Sequence, residues 1–210
     1  MSRTRLLMAV GALAFLSVPL AAQEKAEGKW MVRVRALSLT PADKSDAIPS
    51  LSVPSDAITV SKKIFPDIDI SYFFAKNLAA ELVLTYPQQH DVKLSGTKIG
   101  TFKHLPPTLL LQYHFIPEGV FRPYVGAGVN LTLISSVALH VTGVGDLDLD
   151  KSSVGGAGQA GFDLKVAPGL FLNADVKKVM IGSDVLVGGS KVSAVKVDPW
   201  LISFGIGKRF

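Results

Sequence analysis

Along most of the chain apolar residues fall on every second position. In a first segment Trp30, Val32, Val34 and Ala36 share one side, and Met31, Arg33 and Arg35 share the other. Next, Pro66, Ile68, Ile70, Tyr72 and Phe74 oppose Asp67, Asp69, Ser71 and Phe73; then Leu78, Ala80, Leu82, Leu84 and Tyr86 oppose Glu81 and Thr85. A fourth segment sets Leu109, Leu111, Tyr113 and Phe115 against Thr108, Gln112 and His114. A fifth sets Val125, Ala127, Val129 and Leu131 against Arg122, Tyr124, Asn130 and Thr132. Phe162, Leu164 and Val166 oppose Gln159, Asp163 and Lys165, and Leu170, Leu172, Ala174 and Val176 oppose Asn173, Asp175 and Lys177. In the last segment Trp200, Ile202, Phe204, Ile206 and Phe210 oppose Ser203, Gly205, Gly207 and Arg209. A period of two is the pattern of half-buried strands. About eight segments of roughly ten residues, each with one apolar face, match the smallest transmembrane β-barrel.

The connections supply the topology. Ala75-Lys76-Asn77, Pro117-Glu118-Gly119 and Ala167-Pro168-Gly169 are short links, whereas Thr40 to Ile64, Pro87 to His104, Ser135 to Gly156 and Gly182 to Val197 are long. Short periplasmic turns alternating with long external loops are the rule for outer-membrane barrels. The expected fold is therefore an all-β, eight-stranded, antiparallel, up-and-down transmembrane barrel. A helical span over Pro123 to Gly145 fails, because this uncharged stretch is broken by glycine, proline and polar residues and keeps the two-residue period. A soluble lipocalin-type barrel would share the period with its apolar face inward. Aromatic residues near strand ends, charges on the opposite face and an aromatic Phe210 at the carboxy terminus favour an outward apolar face.

The amino terminus points to export. Arg3 and Arg5 precede an uncharged run from Leu6 to Leu20, and Ala21-Ala22 offers small residues for cleavage, so residues 1–22 read as a signal peptide and 23–210 as the barrel. An uncleaved anchor is the rival, but its apolar run is short for a span. The 210 residues carry 22 Lys and Arg against 17 Asp and Glu. Without Arg3 and Arg5 the basic residues number 20, leaving a net charge of +3. So small an excess in an exported chain argues against a nucleic-acid partner. With no cysteine there is neither a disulfide scaffold nor a thiol nucleophile.

The block from Gly100 to Phe115 (GTFKHLPPTLLLQYHF), followed by Arg122 to Asn130 (RPYVGAGVN), closely resembles the outer membrane protein W family. Trp30 with Arg33 and Arg35, Ser71 to Phe74 with Asn77 to Glu81, His90-Asp91-Val92, and Leu172 to Lys177 are similar to other strands of that family. The resemblance implies an eight-stranded barrel in the outer membrane with a narrow, partly apolar channel for passive uptake of small hydrophobic molecules. It also implies a lateral opening in the wall as one exit. Leu131 stands where the family commonly has an aromatic residue, so the lining beneath the third external loop is expected to differ. Lys208 departs from the family-like carboxy-terminal signal, in which Phe210 would address the barrel-assembly machinery.

So small a barrel encloses little more than its own side chains. Arg33, Arg35, Asp67, Asp69, Glu81, Arg122, Asp163, Lys165, Asp175, Lys177 and Arg209 are therefore expected to pair across the lumen, because an unpaired buried charge costs several kcal/mol. They form either a structural plug or a polar constriction. The lumen-lining candidates are Met31, Arg33, Arg35, Asp67, Asp69, Phe73, Glu81, Leu110, Gln112, His114, Arg122, Asp175, Lys177 and Arg209. A hydrophobic solute would need a pocket above the plug and a lateral way out, a reading motivated by inward Met31, Phe73, Leu110 and Leu201.

Other motifs carry less. Gly156 to Gly161 spells G-x-G-x-x-G but lacks the strand before and helix after that dinucleotide binding needs. Asp146 to Asp150 approaches a calcium loop, yet Lys151 and Ala157 stand where that loop needs Gly and Glu. His90, His104, His114 and His140 show no diagnostic pairing for a hydrolase, although His104 and His114 sit ten positions apart on one expected strand. Lys62, Lys63, Lys93, Lys98 and Lys103 either solubilise the loops or meet lipopolysaccharide phosphates. The expected function is uptake of small hydrophobic solutes through the outer membrane, with no cofactor and no enzymatic role. The alternative is a surface receptor whose loops bind lipopolysaccharide, bacteriocin, phage or host surfaces.

Overall fold

The computed structural model describes residues 27–49 and 52–210. The leader expected over residues 1–22 lies outside them. The described chain is all β: β1 (Trp30–Thr40), β2 (Lys44–Ser45), β3 (Ile58–Val60), β4 (Lys63–Phe73), β5 (Leu78–Leu84), β6 (Gln88–Leu94), β7 (Thr97–Leu105) and β8 (Thr108–His114) come first. They are followed by β9 (Phe121–Val141), β10 (Gly145–Leu149), β11 (Ser152–Ala167), β12 (Leu170–Val179), β13 (Gly182–Val187), β14 (Ser190–Lys196) and β15 (Trp200–Arg209).

Eight antiparallel strands close a barrel in the order β11-β12-β15-β1-β4-β5-β8-β9, with β9 pairing back onto β11. The register runs from Met31 opposite Arg209 to Thr40 opposite Trp200, and from Trp30 opposite Tyr72 to Leu39 opposite Lys63. The three short links turn at one end. In the last of them Pro168 precedes Gly169 at φ +67°, which suits a type II turn, and Ala167 pairs with Leu170.

The long links are not open loops. The other seven strands lie in or just beside them and extend the wall upward: β6 pairs β3 and β7, β7 pairs the upper half of β9, and β10, β13, β14 and β2 follow in order. Two-residue turns close two of these hairpins. Ser95-Gly96 has φ of +48° and +85°, and Gly188-Gly189 has +54° and +83°, the paired positive values of a type I′ turn. β9 shows why this crown stands clear of the bilayer. Its 21 residues, at ~3.3 Å each and tilted ~40°, rise roughly 50 Å, about twice the ~25 Å apolar band of such barrels.

Sidedness inverts along β9. Below Ser135, the lower half turns Leu131 and Leu133 outward and Asn130, Thr132 and Ile134 inward. Ser136 then sits at φ +50°, where the pairing slips by one residue between Lys103–Ser135 and Thr101–Ala138. A bulge of this kind reverses which residues face in. Above it Leu139 is buried and Ala138 and His140 are exposed. The lower barrel accordingly exposes a band of Val, Leu, Ile and Phe, edged below by Trp30, Tyr113, Phe115 and Phe210 and above by Tyr86 and Trp200. The crown buries an apolar cluster instead, including Ile58, Val92, Phe102, Ile134, Leu139 and Val185.

Candidate functional site

The lumen has three levels. At the periplasmic mouth Met31, Phe73, Ala79 and Phe171 form a small apolar cluster. Arg209 lies 3.8 Å above the Phe73 ring centroid and Arg122 lies 4.8 Å from that of Phe171. Glu27, just before β1, accepts hydrogen bonds from Arg122 Nη1 at 2.5 Å and Nη2 at 2.9 Å, and pairs with Arg209 at 3.2 Å and Lys165 at 3.3 Å. Burial works against ionisation of Glu27, but hydrogen bonds from Arg122 and Lys165 and the nearby Arg209 hold its carboxyl below the usual carboxylate value.

The middle level is a closed ion-pair network. Arg33 donates to both carboxylate oxygens of Asp163 at 3.0 and 2.7 Å, and its Nη1 reaches Ser71 Oγ at 2.8 Å and Glu81 Oε2 at 3.2 Å. Arg35 holds Asp67 Oδ2 at 2.5 Å, Asp69 Oδ1 at 2.8 Å and Asn173 Oδ1 at 3.3 Å. Lys177 donates to Asp175 Oδ1 at 2.5 Å, and Gln112 donates to Glu81 Oε2 at 2.7 Å. Tyr124 lies across Gly161 of the intervening strand β11 to give its hydroxyl proton to Asp175 on β12 at 3.1 Å while accepting from Asn173 at 3.0 Å. His114 packs between the rings of Phe73 and Tyr124. A side chain at Gly161 would overlap the Tyr124 ring and hydroxyl, so that glycine makes room for the crossing. Its G-x-G-x-x-G string is therefore part of a packed strand.

Charge is distributed between the levels. The mouth carries Arg122, Lys165 and Arg209 against Glu27, an excess of two positive charges. The middle carries Arg33, Arg35 and Lys177 against Asp67, Asp69, Glu81, Asp163 and Asp175, an excess of two negative charges. These two formal excesses offset each other. Losing one partner of a buried pair costs about 3–5 kcal/mol.

Above the plug the lumen becomes apolar. Leu37, Leu39, Phe65, Val83, Val179 and Leu201 line a chamber whose floor is Asp67 and Lys177. Ile181 also lines the next cavity, of about 40 Å³, which is walled chiefly by Ile, Val, Leu and Phe102. Ile58, Ile99, Leu147 and Val185 continue into a third cavity toward the crown's tip. His104 is the one imidazole lining the middle cavity, and burial together with neighbouring His90 and Lys63 lowers its pKa to about 3.

The chamber wall has a weak seam. β5 and β8 pair up to Val83–Thr108, and β6 and β7 resume at Gln88–His104. Between these pairs lie Pro87, Pro106 and Pro107, none with an N–H to donate to a ladder. Thr85, Pro106 and Thr108 line the chamber at this seam.

Every lumen candidate read from the sequence faces inward, but not at one level. Arg33, Arg35, Asp67, Asp69, Glu81, Gln112, Asp175 and Lys177 meet in the plug. Met31, Phe73, Arg122 and Arg209 lie below it, so Met31 and Phe73 do not line the pocket expected above. Leu110 joins the upper apolar cluster. Leu131 is on the outer face, its amide bonded to Pro107 O at 3.0 Å, and does not line the lumen. His104 and His114 are on different strands, β7 and β8, separated by the two prolines. His140 pairs with Asp146 at 2.9 Å in the exposed crown, where no Ser or Thr hydroxyl joins them among the described residues. Asn173, Tyr124 and Asp163 complete the plug; their alternating inward positions were the signal for all three.

The sequence profile of the OmpW family matches residues 26–210. An uncharacterized outer-membrane protein, y4mB, of Sinorhizobium fredii is 41% identical, with 86% of this chain and 80% of that protein aligned. Outer membrane protein W of Vibrio cholerae is 33% identical over 94% of both chains. Among solved structures, the outer membrane protein OprG from Pseudomonas aeruginosa superposes with a TM-score of 0.77 at 28% identity, covering 88% of this chain and 97% of that one.

Proposed function

This chain belongs to the OmpW family and is an outer-membrane barrel; on that premise we propose that it passively admits small hydrophobic molecules through the crown and releases them sideways into the bilayer. One observation carries the reading: a stack of apolar cavities, each sharing wall residues with the next, ends on a floor of paired charges. A hydrophobic solute gains by entering the crown but would have to break buried ion pairs to continue along the axis. The seam at Thr85, Pro87, Pro106 and Pro107 opens the chamber toward lipid, where the solute stays dissolved. Export by a cleaved leader over residues 1–22 belongs to the same proposal.

Proteoliposomes containing the refolded barrel test it. Uptake of a hydrophobic reporter should rise with barrel content, and Thr108→Trp, which fills the chamber beside the seam, should reduce it at least several-fold. Uptake no faster than in protein-free vesicles sinks the proposal. A second reading rests on the crown's ordered hairpins and the exposed lysines on their outer face, Lys62, Lys93 and Lys98. These suit a surface that contacts lipopolysaccharide phosphates or an external ligand, and the reading gains if the crown binds lipopolysaccharide while uptake is absent.

A further inference from the structure

We infer that His104, with His90 beside it, is a docking point for a single hydroxyl on an otherwise apolar solute; this rests on the channel reading above and names its substrate class. The middle cavity is apolar except for His104, Thr132 and Ser183. Thr132 Oγ1 already donates to Asn130 Oδ1 at 2.7 Å, and Ser183 Oγ donates to Asp184 O at 3.3 Å. His104 is 1% exposed, and neither of its ring nitrogens has a hydrogen-bond partner among the described residues. A buried polar group without a partner calls for an explanation, and a transient ligand supplies one.

The neighbour sharpens the chemistry. His90 Nδ1 lies 2.8 Å from the carbonyl oxygen of Ser61, so it carries the proton and donates. That leaves His90 Nε2 as an acceptor, also without a partner among the described residues. Its ring centroid is 4.7 Å from that of His104, and Phe102 lies 6.0 Å from both. A neutral imidazole offers one donor and one acceptor. His104 lines the cavity and His90 lies against its ring; a hydroxyl both gives and takes a hydrogen bond and so matches the two open nitrogens of His104, while its hydrocarbon body lies against Phe102, Val92 and Ile134. An alkane would leave the nitrogens unsatisfied. A carboxylate would bring an unpaired charge into an apolar cavity. The cavity shares Ile181 with the chamber below and Ile58 with the tip cavity above, so a solute moving down the stack would pass His104.

The test compares 1-hexanol with hexane on the full barrel refolded in lipid nanodiscs, read by the imidazole nitrogen resonances. Hexanol should shift the His104 signals saturably, with hexane producing no such shift. His104→Leu should weaken hexanol binding at least five-fold, and His104→Asn, which keeps a donor and an acceptor, should restore it to within about two-fold. Equal responses to both solutes, or hexanol binding unchanged in His104→Leu, would overturn the inference. If His104→Leu fails the heat-modifiable gel shift of a folded barrel, the wild-type and His104→Asn titrations decide alone. Uptake of hexane into proteoliposomes is scored separately. Its absence removes the channel reading, whereas uptake without selective hexanol binding removes only this inference.

Discussion

The lower barrel and the crown are built from one continuous sheet but obey opposite rules. Below Ser136 the wall turns apolar residues to lipid and closes its lower interior with ion pairs, on which an apolar chamber stands; above it the wall turns charges to water and fills its interior with Ile, Val, Leu and Phe. Each region buries what its solvent does not reward. Lipid offers no hydrogen bonds, so the polar groups must satisfy one another inside. Water disfavours apolar surface, so the crown collapses around its own hydrocarbon. The junction produces the functional geometry, an apolar shaft standing on a charged floor.

The largest expected effect comes from breaking the floor. Arg33→Met leaves Asp163 and Glu81 without their shared guanidinium, and should cost about 3–5 kcal/mol in urea unfolding from lipid. Adding Asp163→Asn should recover part of that loss. Hydrophobic uptake through the crown should survive in any folded fraction.

Next in size is a paired substitution on the outer face of β9. Ala127→Arg places a charge in the lipid band and should cost about 2–4 kcal/mol. Ala138→Arg, on the same strand past the bulge, should change stability by no more than about 0.5 kcal/mol. Equal costs at the two positions would erase the distinction between the regions.

Acid should loosen the crown selectively. The folded pKa of His104, about 3, lies below its ordinary 6.5. Between these values the unfolded crown binds a proton that the folded one refuses, so stability falls as pH drops below 6.5, by at most about 1.4 kcal/mol per unit. Protection factors of amides in β6 and β7, taken against the intrinsic exchange rate at each pH, should fall at pH 5 relative to pH 7.5, while amides of β1 and β4 keep theirs. The smallest effect belongs to the mouth. Glu27→Gln should cost about 1 kcal/mol or less. The stability that Glu27 adds is present above its ordinary pKa of 4.5 and is lost as pH falls through the lower folded value, so wild type and Glu27→Gln should converge in acid.

The lower barrel was legible in the sequence because its solvent enforces strict alternation. Arg33, Asp67, Glu81 and Asp175 each lie between apolar neighbours on two sides, and that spacing alone turns them inward. The crown was not legible, for two physical reasons. The Ser136 bulge shifts the period by one, so Leu133 and Leu139 face opposite ways although an even number of positions separates them. The crown strands are also short and polar on one side, and they read as loops unless Ser95-Gly96 and Gly188-Gly189 are taken as two-residue hairpin turns. The levels within the lumen were hidden as well. Alternation places Met31 and Leu201 on the same side of the wall but cannot place one below the plug and the other above it.

The most direct test of a closed floor beneath an apolar shaft measures two solutes on the same proteoliposomes, a hydrophobic reporter and a small sugar. Uptake of the reporter in proportion to barrel content, with sugar entry no faster than in empty vesicles, is the predicted result. Sugar entering through the wild-type barrel, or reporter uptake equal to that of empty vesicles, would contradict it.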